Sequence, residues 1–382
     1  MKILHMIDSG GLYGAEQVLM ALAGEQQNRG LTPVILSAGS PGEGTKPLER
    51  EARDHRLPVI GWRMRAGLNL RAGRRIMAWA YKEGFSLTHS HGYKFNILGA
   101  LCRRQRPLPA VTTLHGYTST QPLSRLWLYQ KLDVCALQHL DATVLVSDHM
   151  ATIPGIRRLP PEKRFIIPNG IAESRPHATD LPRDIQAFRR TRRHCFVCIG
   201  RLSREKGQDI LIRGWASLLQ RHPDCGLVLV GGGPERENLA EQARQLGVSD
   251  SVYFADYRPN AAKMLPFFDT LVIPSRTEGL PITLLEAMRT RTPVVATAVG
   301  GMASALTGQR EPKEPTIVPA GCPKELSDAM AFALTNPEHV QRLTDTAEQR
   351  FRDHFTLRAM VDRYLDCYRH VVATSPSHPC KR

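Results

Sequence analysis

The arrangement that most restricts the fold of this chain is an alternation of short apolar segments with longer helical ones, which runs twice through the sequence. In the first half, the strand-like segments lie at 2–7, 32–37, 57–61, 86–90, 110–114, 142–146 and 164–167. In the second half, they lie near 195–200, 226–231, 251–254, 270–274, 293–296 and 315–318. Strands that alternate with helices are typical of a parallel sheet with helices on both faces. The pattern therefore predicts two doubly wound α/β domains.

The length of 382 residues also favours two domains, because it exceeds what one hydrophobic core normally organises. A polar stretch with two prolines, at 173–182, separates the two series of strands and has the composition of a linker. We therefore place an N-terminal domain at 1–175 and a C-terminal domain at 190–355. A helical segment at 356–372 follows, and residues 375–382 are expected to form a flexible tail.

Two cationic side chains follow the first strand of the C-terminal domain. That strand ends at Ile199, and Arg201 and Lys206 lie just beyond Gly200 in a Gly-Arg-Leu-Ser-Arg-Glu-Lys-Gly sequence. Ligands of open parallel sheets bind outside the carboxyl ends of the strands. Because two fixed cations at such an edge suit a diphosphate, we predict an anion site here.

A second motif is the Glu-Gly-Leu-Pro sequence that begins at Glu278 and precedes an apolar helix. Proline favours the first position of a helix, so the backbone N–H groups of Gly279 and Leu280 would face an anion at the helix N-terminus. Glu286 lies further along the same helix. A carboxylate among apolar residues needs hydrogen-bond donors, and the vicinal hydroxyls of a sugar or a ribose supply them.

The order of these motifs between Gly200 and Gly301 resembles that of the retaining glycosyltransferases of family 4, which have the GT-B fold and use nucleotide-activated sugars. The resemblance implies two Rossmann-like domains that face each other across a cleft. It also implies that the last helix, at 356–372, returns to the N-terminal domain. By motif match, Arg201 and Lys206 grip the donor diphosphate.

The same resemblance gives roles to the two glutamates of the second motif. Glu278 matches the residue that faces the donor sugar, and Glu286 matches the one that holds the ribose. Gly232, in the Gly-Gly-Gly-Pro sequence after the second strand of the C-terminal domain, is expected to make room for the nucleotide. The remaining expected donor-binding residues in this domain are Gly200, Gly279 and Leu280.

Two features of the N-terminal domain complete the predicted site. Gly10 and Gly11 lie in a glycine-rich turn after the first strand, where backbone amides can face a phosphate or a sugar. The turn lacks the G-x-G-x-x-G spacing of nicotinamide enzymes, and its family 4 equivalent closes over the donor phosphates. His115 ends a strand at the ligand-binding edge and matches the active-site histidine of the family. Gly116 follows it, where many members of the family carry aspartate.

Two further pairs of residues invite a metal interpretation. His89 and His91 end the preceding strand, and we expect alternation to put one ring on each face of the sheet. They are therefore not predicted to form a metal pair, and we interpret His91 as a rim residue of the crevice. Cys195 and Cys198 form a C-x-x-C sequence in a strand, where their side chains point to opposite faces. We predict that both are structural thiols in a reduced compartment.

The net charge of +15 is concentrated in the first half, because residues 1–190 hold 26 Lys and Arg against 15 Asp and Glu. Arginines cluster at 63–75, 103–106 and 157–158. These clusters suit an anionic membrane surface or an anionic acceptor, and a solvated basic face is an equally good interpretation. No nucleic-acid-binding signature is present, so nucleic acid is not an expected partner.

The sequence shows neither a secretory signal nor an apolar run near the roughly 20 residues of a spanning helix. We therefore expect a cytoplasmic protein, with peripheral contact to the inner face of the cell membrane as a further expectation. No carboxylate-rich metal cluster and no carboxylate nucleophile are recognised, which predicts turnover without a metal or other cofactor. Arg201 and Lys206 would instead stabilise the charge that develops on the departing nucleoside diphosphate.

The resemblance implies attack by the acceptor hydroxyl on the leaving-group face, with retention of the anomeric configuration. The predicted function is transfer of a sugar from a UDP- or GDP-sugar to a hydroxyl of a glycan or lipid-linked acceptor, in cell-envelope or exopolysaccharide synthesis. Two alternatives stay open at this point. They are a nucleotide-sugar epimerase of the same fold and a non-catalytic module that binds sugar nucleotides.

Overall fold

The computed structural model describes residues 1–8, 11–102, 108–116, 124–174, 181–310 and 313–375. The chain divides into two compact units. The first contains Met1–Ile171 together with the C-terminal helix that begins at Leu357, and the second contains Ala172–Thr356. Each unit is built around one parallel sheet.

The sheet of the first unit has seven strands. They are β1 (Lys2–Ile7), β2 (Thr32–Gly39), β3 (Val59–Arg63), β4 (Leu87–His91), β5 (Ala110–Leu114), β6 (Ala142–Leu145) and β7 (Arg164–Ile166). Their spatial order is β3-β2-β1-β4-β5-β6-β7, which is the Rossmann order with one additional strand. The order reverses at β1, so the space outside the carboxyl ends of β1 and β4 is the topological switch point of this sheet.

Within the described residues, six α-helices connect these strands. They are α1 (Gly14–Asn28), α2 (Pro47–Asp54), α3 (Leu70–Lys82), α4 (Tyr93–Cys102), α5 (Arg125–Leu137) and the short α6 (Pro154–Arg157). Polar side chains cap two of them, because Asn69 accepts a hydrogen bond from the N–H of Ala72 at α3 and Ser124 accepts one from Trp127 at α5. Every residue of β4 and β5 is buried, as expected for central strands covered on both faces.

The sheet of the second unit has six strands. They are β8 (His194–Ile199), β9 (Cys225–Val230), β10 (Val252–Phe254), β11 (Thr270–Ile273), β12 (Val294–Thr297) and β13 (Ile317–Val318). Their spatial order, β10-β9-β8-β11-β12-β13, places the switch point between β8 and β11. The two parallel sheets confirm the predicted pair of doubly wound α/β domains.

In the part of the second unit that the structure describes, there are seven α-helices. They are α7 (Arg183–Arg190), α8 (Gln208–Leu219), α9 (Arg236–Gln245), α10 (Ile282–Thr290), α11 (Met302–Thr307), α12 (Pro323–Thr335) and α13 (Pro337–His354). Trp215 of α8 is fully buried, and its ring packs edge-on against Phe196 of β8. The unit begins at Ala172, so α7, which lies before the predicted domain start at 190, packs in this unit against β9.

The last helix, α14 (Leu357–Thr374), packs in the first unit. The N–H of Leu357 donates to the carbonyl oxygen of Ile171 at 2.7 Å. The hydroxyl of Tyr364 lies 2.8 Å from Oγ1 of Thr113 in β5, and Tyr368 is also fully buried. The helix thus contributes two phenols to the core of the first unit. None of the helices in the described part of the chain combines the length and the apolar character that a membrane crossing needs.

Candidate active site

The predicted site residues fall in both units, and the larger set lies at the carboxyl edge of the second sheet. The strands β8 and β9 are followed by two loops that pack backbone against backbone. A Cβ at Gly231, whose φ is 145°, would lie 1.9 Å from the carbonyl oxygen of Gly200, and one at Gly233 would lie 2.2 Å from that of Leu202. Both positions therefore need glycine. Gly232 differs, because a Cβ there would meet no atom within 4 Å.

The loop after β8 carries the two predicted phosphate-binding cations. Arg201 is exposed, and its carbonyl oxygen accepts a hydrogen bond from Nε2 of the buried Gln208 at 3.0 Å. Lys206 is followed by Gly207, which has a φ of 70° and packs so closely that a Cβ would lie 2.1 Å from the carbonyl oxygen of Pro274. The glycine therefore allows this loop to reach the loop that follows β11.

Lys206 contacts the first glutamate of the second motif. Its Nζ lies 2.6 Å from Oε1 of Glu278, and the hydroxyl of Ser275 donates to the same oxygen at 2.7 Å. The side chain of Glu278 is only 10% exposed, whereas that of Lys206 is 30% exposed. The structure therefore brings together the predicted diphosphate cation and the predicted sugar-facing carboxylate. An ammonium group has three donors, so Lys206 can also serve a phosphate oxygen.

An additional ion pair, which the sequence analysis did not identify, holds the first turn of α8 against the loop that follows β11. Both terminal nitrogens of Arg276 donate to the carboxylate of Asp209, at 2.6 and 2.7 Å. The N–H of Arg276 also donates to the carbonyl oxygen of Glu205 at 2.8 Å. Bidentate pairs of this kind fix geometry as well as charge. Asp209 and Arg276 lie 67 residues apart, and no local spacing signals their contact.

Glu286 lies in α10 and is partly buried. Burial raises its pKa to about 7, although the positive charge of Arg289 opposes the shift. Within the described residues, no donor is within hydrogen-bonding distance of its carboxylate. A carboxyl group in this state gains from hydroxyl donors supplied by a ligand. The role of Glu286 in binding a ribose stays a prediction.

The loop before α10 differs in one detail from the prediction. Pro281 has a ψ of 136° and precedes the helix, instead of forming its first turn. The carbonyl oxygen of Gly279 accepts a hydrogen bond from the N–H of Gly301 at 2.7 Å, and Leu280 is buried. The predicted N–H groups of Leu280 and Gly279 therefore lie two and three residues before the first residue of α10, in a loop that packs on the turn at Gly301.

In the first unit, His115 follows β5 and is partly exposed. Its Nε2 lies 3.2 Å from Nδ1 of His91, and burial lowers the pKa of His115 to about 4. Gly116, which follows, has a φ of 146°, in a region that favours glycine over the aspartate that the resemblance led us to consider there. Gly10 lies outside the described residues. A Cβ at Gly11 would lie 2.8 Å from the ring of Tyr13.

The expectation for His89 and His91 was wrong. Their rings lie on the same face of the sheet with centroids 4.2 Å apart, because residues two apart in a strand share a face. His91 is 5% exposed and is therefore a core residue, not a rim residue. His5 of β1, which the sequence analysis did not single out, pairs in register with His89 and joins the same cluster.

The arrangement of His5, His89 and His91 brings one nitrogen of each within 4.8 Å of the others, which is the geometry of a candidate metal site. Every ring nitrogen of the three already has a hydrogen-bond partner, however. His89 Nδ1 lies 2.7 Å from the hydroxyl of Tyr368, and its Nε2 lies 2.8 Å from Oγ1 of Thr113. A metal would have to displace several of these bonds, so the donor set fits a hydrogen-bonded network better than a metal centre.

The two cysteines of the C-x-x-C pair are buried in the core of the second unit. Each cysteine of the described residues is free. Burial raises the pKa of Cys195 to about 11 and that of Cys198 to about 12. Both thiols stay protonated at neutral pH and pack in the core, as the structural interpretation predicted.

Two family models match the chain, one in each half. Residues 13–175 match the model described as Glycosyltransferase Family 4, and residues 183–350 match that of Glycosyl transferases group 1. Solved structures share the fold over the full length. The Anabaena HepE protein in complex with UDP superposes with a TM-score of 0.79 at 20% identity, covering 96% of this chain and 99% of that one. The chain therefore has the GT-B fold.

Curated relatives agree with this assignment. A D-inositol 3-phosphate glycosyltransferase of Corynebacterium jeikeium is 32% identical over 285 residues, which are 67% of this chain and 66% of that protein. Its counterpart in Corynebacterium urealyticum matches over 41% of its own length, so the chain spans less than two thirds of either relative. The O-antigen chain mannosyltransferase C of Escherichia coli is 27% identical and matches over 96% of this chain and 98% of its own length.

Proposed function

This chain belongs to the glycosyltransferases of group 1 and family 4, and from that membership we propose that it transfers a sugar from a nucleotide-sugar donor to a hydroxyl group of an acceptor. The observation that carries the proposal is the contact of Lys206 with Glu278 at the switch point of the second sheet. Open α/β sheets bind nucleotides at this point. In this proposal, Lys206 binds the diphosphate at that point and the adjacent Glu278 binds the sugar.

Arg201 and Lys206 stabilise the leaving group in this proposal. Cleavage of the bond between the anomeric carbon and the phosphate builds negative charge on the nucleoside diphosphate, and fixed cations compensate it without reorganisation. The ribose is held by Glu286, whose carboxylate is partly buried and has a raised pKa. We infer that these groups replace a metal ion, and that turnover needs neither a metal nor another cofactor.

The stereochemical outcome follows from the role given to Glu278. Its carboxylate is bound by Lys206 and Ser275, which lowers its nucleophilicity and leaves it as a hydrogen-bond acceptor for the sugar. The acceptor hydroxyl then attacks from the face that the diphosphate leaves, and a donor phosphate oxygen takes its proton. This route retains the anomeric configuration, as the resemblance to family 4 implies.

We propose a UDP- or GDP-sugar as donor and a glycan or lipid-linked alcohol as acceptor, in cell-envelope or exopolysaccharide synthesis. A UDP-glucose complex is known for the structural relative HepE. The relative from Mycolicibacterium smegmatis, 39% identical over 155 residues, is a GDP-mannose-dependent mannosyltransferase. The mannosyltransferase of Escherichia coli acts on an O-antigen chain.

A cytoplasmic location with peripheral membrane contact is the remaining part of the proposal. Supporting it, α3 exposes Leu70 beside Arg71, Arg74 and Arg75. Arginine and leucine together suit the surface of an anionic bilayer. Arg63, which the sequence analysis grouped with this cluster, instead donates two hydrogen bonds to the buried Glu49. The cluster at 103–106 lies outside the described residues.

The test is incubation of the purified protein with a panel of UDP- and GDP-sugars and a membrane extract, with and without EDTA. Transfer that is resistant to EDTA, with a product of the donor's anomeric configuration by NMR, is the expected result. Epimerised nucleotide sugar would indicate an epimerase, and binding without any product would indicate a binding module. Flotation with anionic and neutral vesicles tests the membrane contact separately.

A further inference from the structure

A continuous chain of hydrogen bonds runs through the core of the first unit and ends at His115. Oε1 of Gln26 in α1 lies 2.9 Å from Nε2 of His5, and Nδ1 of His5 lies 3.1 Å from Nε2 of His91. Nδ1 of His91 lies 3.2 Å from Nε2 of His115. Gln26 and His5 are fully buried, and His115 is partly exposed. The chain therefore links a buried amide to the predicted active-site histidine.

Each member of this chain restricts the next. A neutral imidazole has one nitrogen that donates and one that accepts. The amide oxygen of Gln26 only accepts, so Nε2 of His5 must carry the proton and Nδ1 of His5 must accept. Nε2 of His91 then donates and its Nδ1 accepts. By the same rule, Nε2 of His115 donates and its Nδ1 keeps a lone pair.

Burial keeps the three rings neutral. It lowers the pKa of His5 and of His115 to about 4, and it holds the pKa of His91 well below its usual value. Protonation of His5 or of His91 would turn its acceptor Nδ1 into a donor that faces the N–H of the next ring. The neutral chain is therefore the arrangement in which all of these hydrogen bonds can form at once.

We propose that Gln26, His5 and His91 are positioning residues that fix His115 in its Nε2–H tautomer and so present the Nδ1 lone pair to a ligand hydroxyl. The identity of that ligand as the donor or acceptor sugar rests on the proposed function. The tautomer itself does not. Nδ1 of His115 has no hydrogen-bond partner among the residues that the structure describes, so it is the atom left to accept from a bound sugar.

A second network lies beside this chain, meets it where Nε2 of Gln26 donates to the hydroxyl of Tyr368 at 3.4 Å, and supplies a control. His89 is bonded to the hydroxyl of Tyr368 and to Thr113, and Thr113 is bonded to the hydroxyl of Tyr364. Tyr364→Phe therefore removes a buried hydrogen bond of the same core but touches no atom of the chain from Gln26 to His115. Gln26→Leu, in contrast, removes the acceptor that sets the direction of the chain with little change in volume.

The experiment is ¹⁵N NMR of the full-length protein labelled at histidine, recorded near pH 7 without substrate. The resonances of His115 are assigned from the spectrum of His115→Gln. The expected result is a protonated Nε2 and an unprotonated Nδ1 in the wild type and in Tyr364→Phe. In Gln26→Leu, we expect the His115 nitrogen shifts to move toward those of a mixture of the two tautomers.

Two outcomes would overturn the proposal. One is a wild-type His115 that carries its proton on Nδ1, because the chain would then run in the opposite direction. The other is a Gln26→Leu spectrum in which His115 is unchanged. The wild-type measurement decides the tautomer even where the variant fails to fold, and neither spectrum depends on whether transfer activity is found.

A separate NMR measurement tests whether Nδ1 of His115 accepts a hydrogen bond from a sugar hydroxyl. Addition of saturating UDP-glucose should shift Nδ1 of His115 to the position of a hydrogen-bonded acceptor and leave its Nε2 protonated. UDP, which lacks the sugar, serves as the control and should leave that nitrogen in place. Calorimetric binding of UDP-glucose with no shift of Nδ1 would refute the assignment of this lone pair to a sugar hydroxyl.

Discussion

Nζ of Lys206 and Oε1 of Glu278 lie 2.6 Å apart, although 72 residues separate them in the sequence. They follow β8 and β11, which are neighbours in the sheet. The contact pairs a carboxylate that is 10% exposed with a cation that is 30% exposed and so remains accessible to an anion. A sugar diphosphate placed here would meet both charges, one through its phosphate and one through its hydroxyls.

Replacement of the cation should therefore remove catalysis and spare the fold. We expect Lys206→Met to lower kcat at least about 100-fold, because the leaving group loses a charge that preorganises its stabilisation. Lys324→Met is the matched control, since Lys324 is paired with Asp328 at 2.9 Å in the same unit and its side chain is 85% exposed. Steady-state kinetics and thermal unfolding measure both effects. A Lys206→Met enzyme with wild-type kcat would contradict the assignment.

The carboxyl group of Glu286 should make nucleotide-sugar binding depend on pH. Because burial raises its pKa to about 7, the group is mostly neutral below that pH and charged above it. The charged form accepts stronger hydrogen bonds from a ribose, so affinity for UDP-glucose should rise as pH increases through about 7. Calorimetric titration with UDP-glucose at several pH values from 6 to 8 measures this rise in affinity.

Glu286→Gln should abolish this dependence of affinity on pH. It should also weaken binding of UDP-glucose roughly 10- to 100-fold at pH 8, because it exchanges charge-assisted hydrogen bonds for neutral ones. Glu325→Gln, an exposed glutamate in the first turn of α12, is the control. Equal affinities of Glu286→Gln and the wild type at pH 8 would return Glu286 to a structural role.

The alternation of strands and helices predicted both sheets because the signal is local to each segment. The histidine cluster could have been predicted as well, since strand residues two apart share a face and the Rossmann order puts β1 beside β4. The contact between Gln26 and Tyr368 could not have been predicted. They meet across 342 residues, and the rotation of α14 about its axis is set by tertiary packing. The contact of Lys206 with Glu278 was missed for another reason. The motifs matched Lys206 to the donor diphosphate and Glu278 to the donor sugar, so no contact between the two side chains was considered.

The buried histidines should make the first unit sensitive to acid. His5 has a pKa of about 4 in the folded protein against 6.5 when exposed, so between these values the unfolded chain binds more protons. The free energy of unfolding should therefore fall as pH decreases from about 6.5 toward about 4. Denaturant unfolding at several pH values in this range measures the slope.

His5→Gln should reduce that slope by about one proton, which corresponds to about 1.4 kcal/mol for each pH unit. His89, His91 and His115 face the same cluster and keep their own contributions in the variant, so the difference between the two slopes reports His5. Equal slopes in the wild type and in His5→Gln would show that His5 takes up no proton on unfolding.

Neighbouring glycines of the loop after β9 should respond to alanine in opposite ways. A Cβ at Gly233 would lie 2.2 Å from the carbonyl oxygen of Leu202, and backbone cannot move aside cheaply. Gly233→Ala should therefore lower the free energy of unfolding by about 1–3 kcal/mol. At Gly232 the same Cβ meets no protein atom within 4 Å, so Gly232→Ala should leave the free energy of unfolding unchanged.

Gly232→Ala then isolates the role predicted for this position. If the open space beside it receives the nucleotide, the added methyl group should weaken binding of both UDP and UDP-glucose at least about 10-fold, as expected where a ligand approaches the backbone closely. Chemical unfolding and calorimetry on the two variants separate the effects. Gly232→Ala with wild-type affinity for both ligands would place the nucleotide elsewhere along the carboxyl edge of the second sheet.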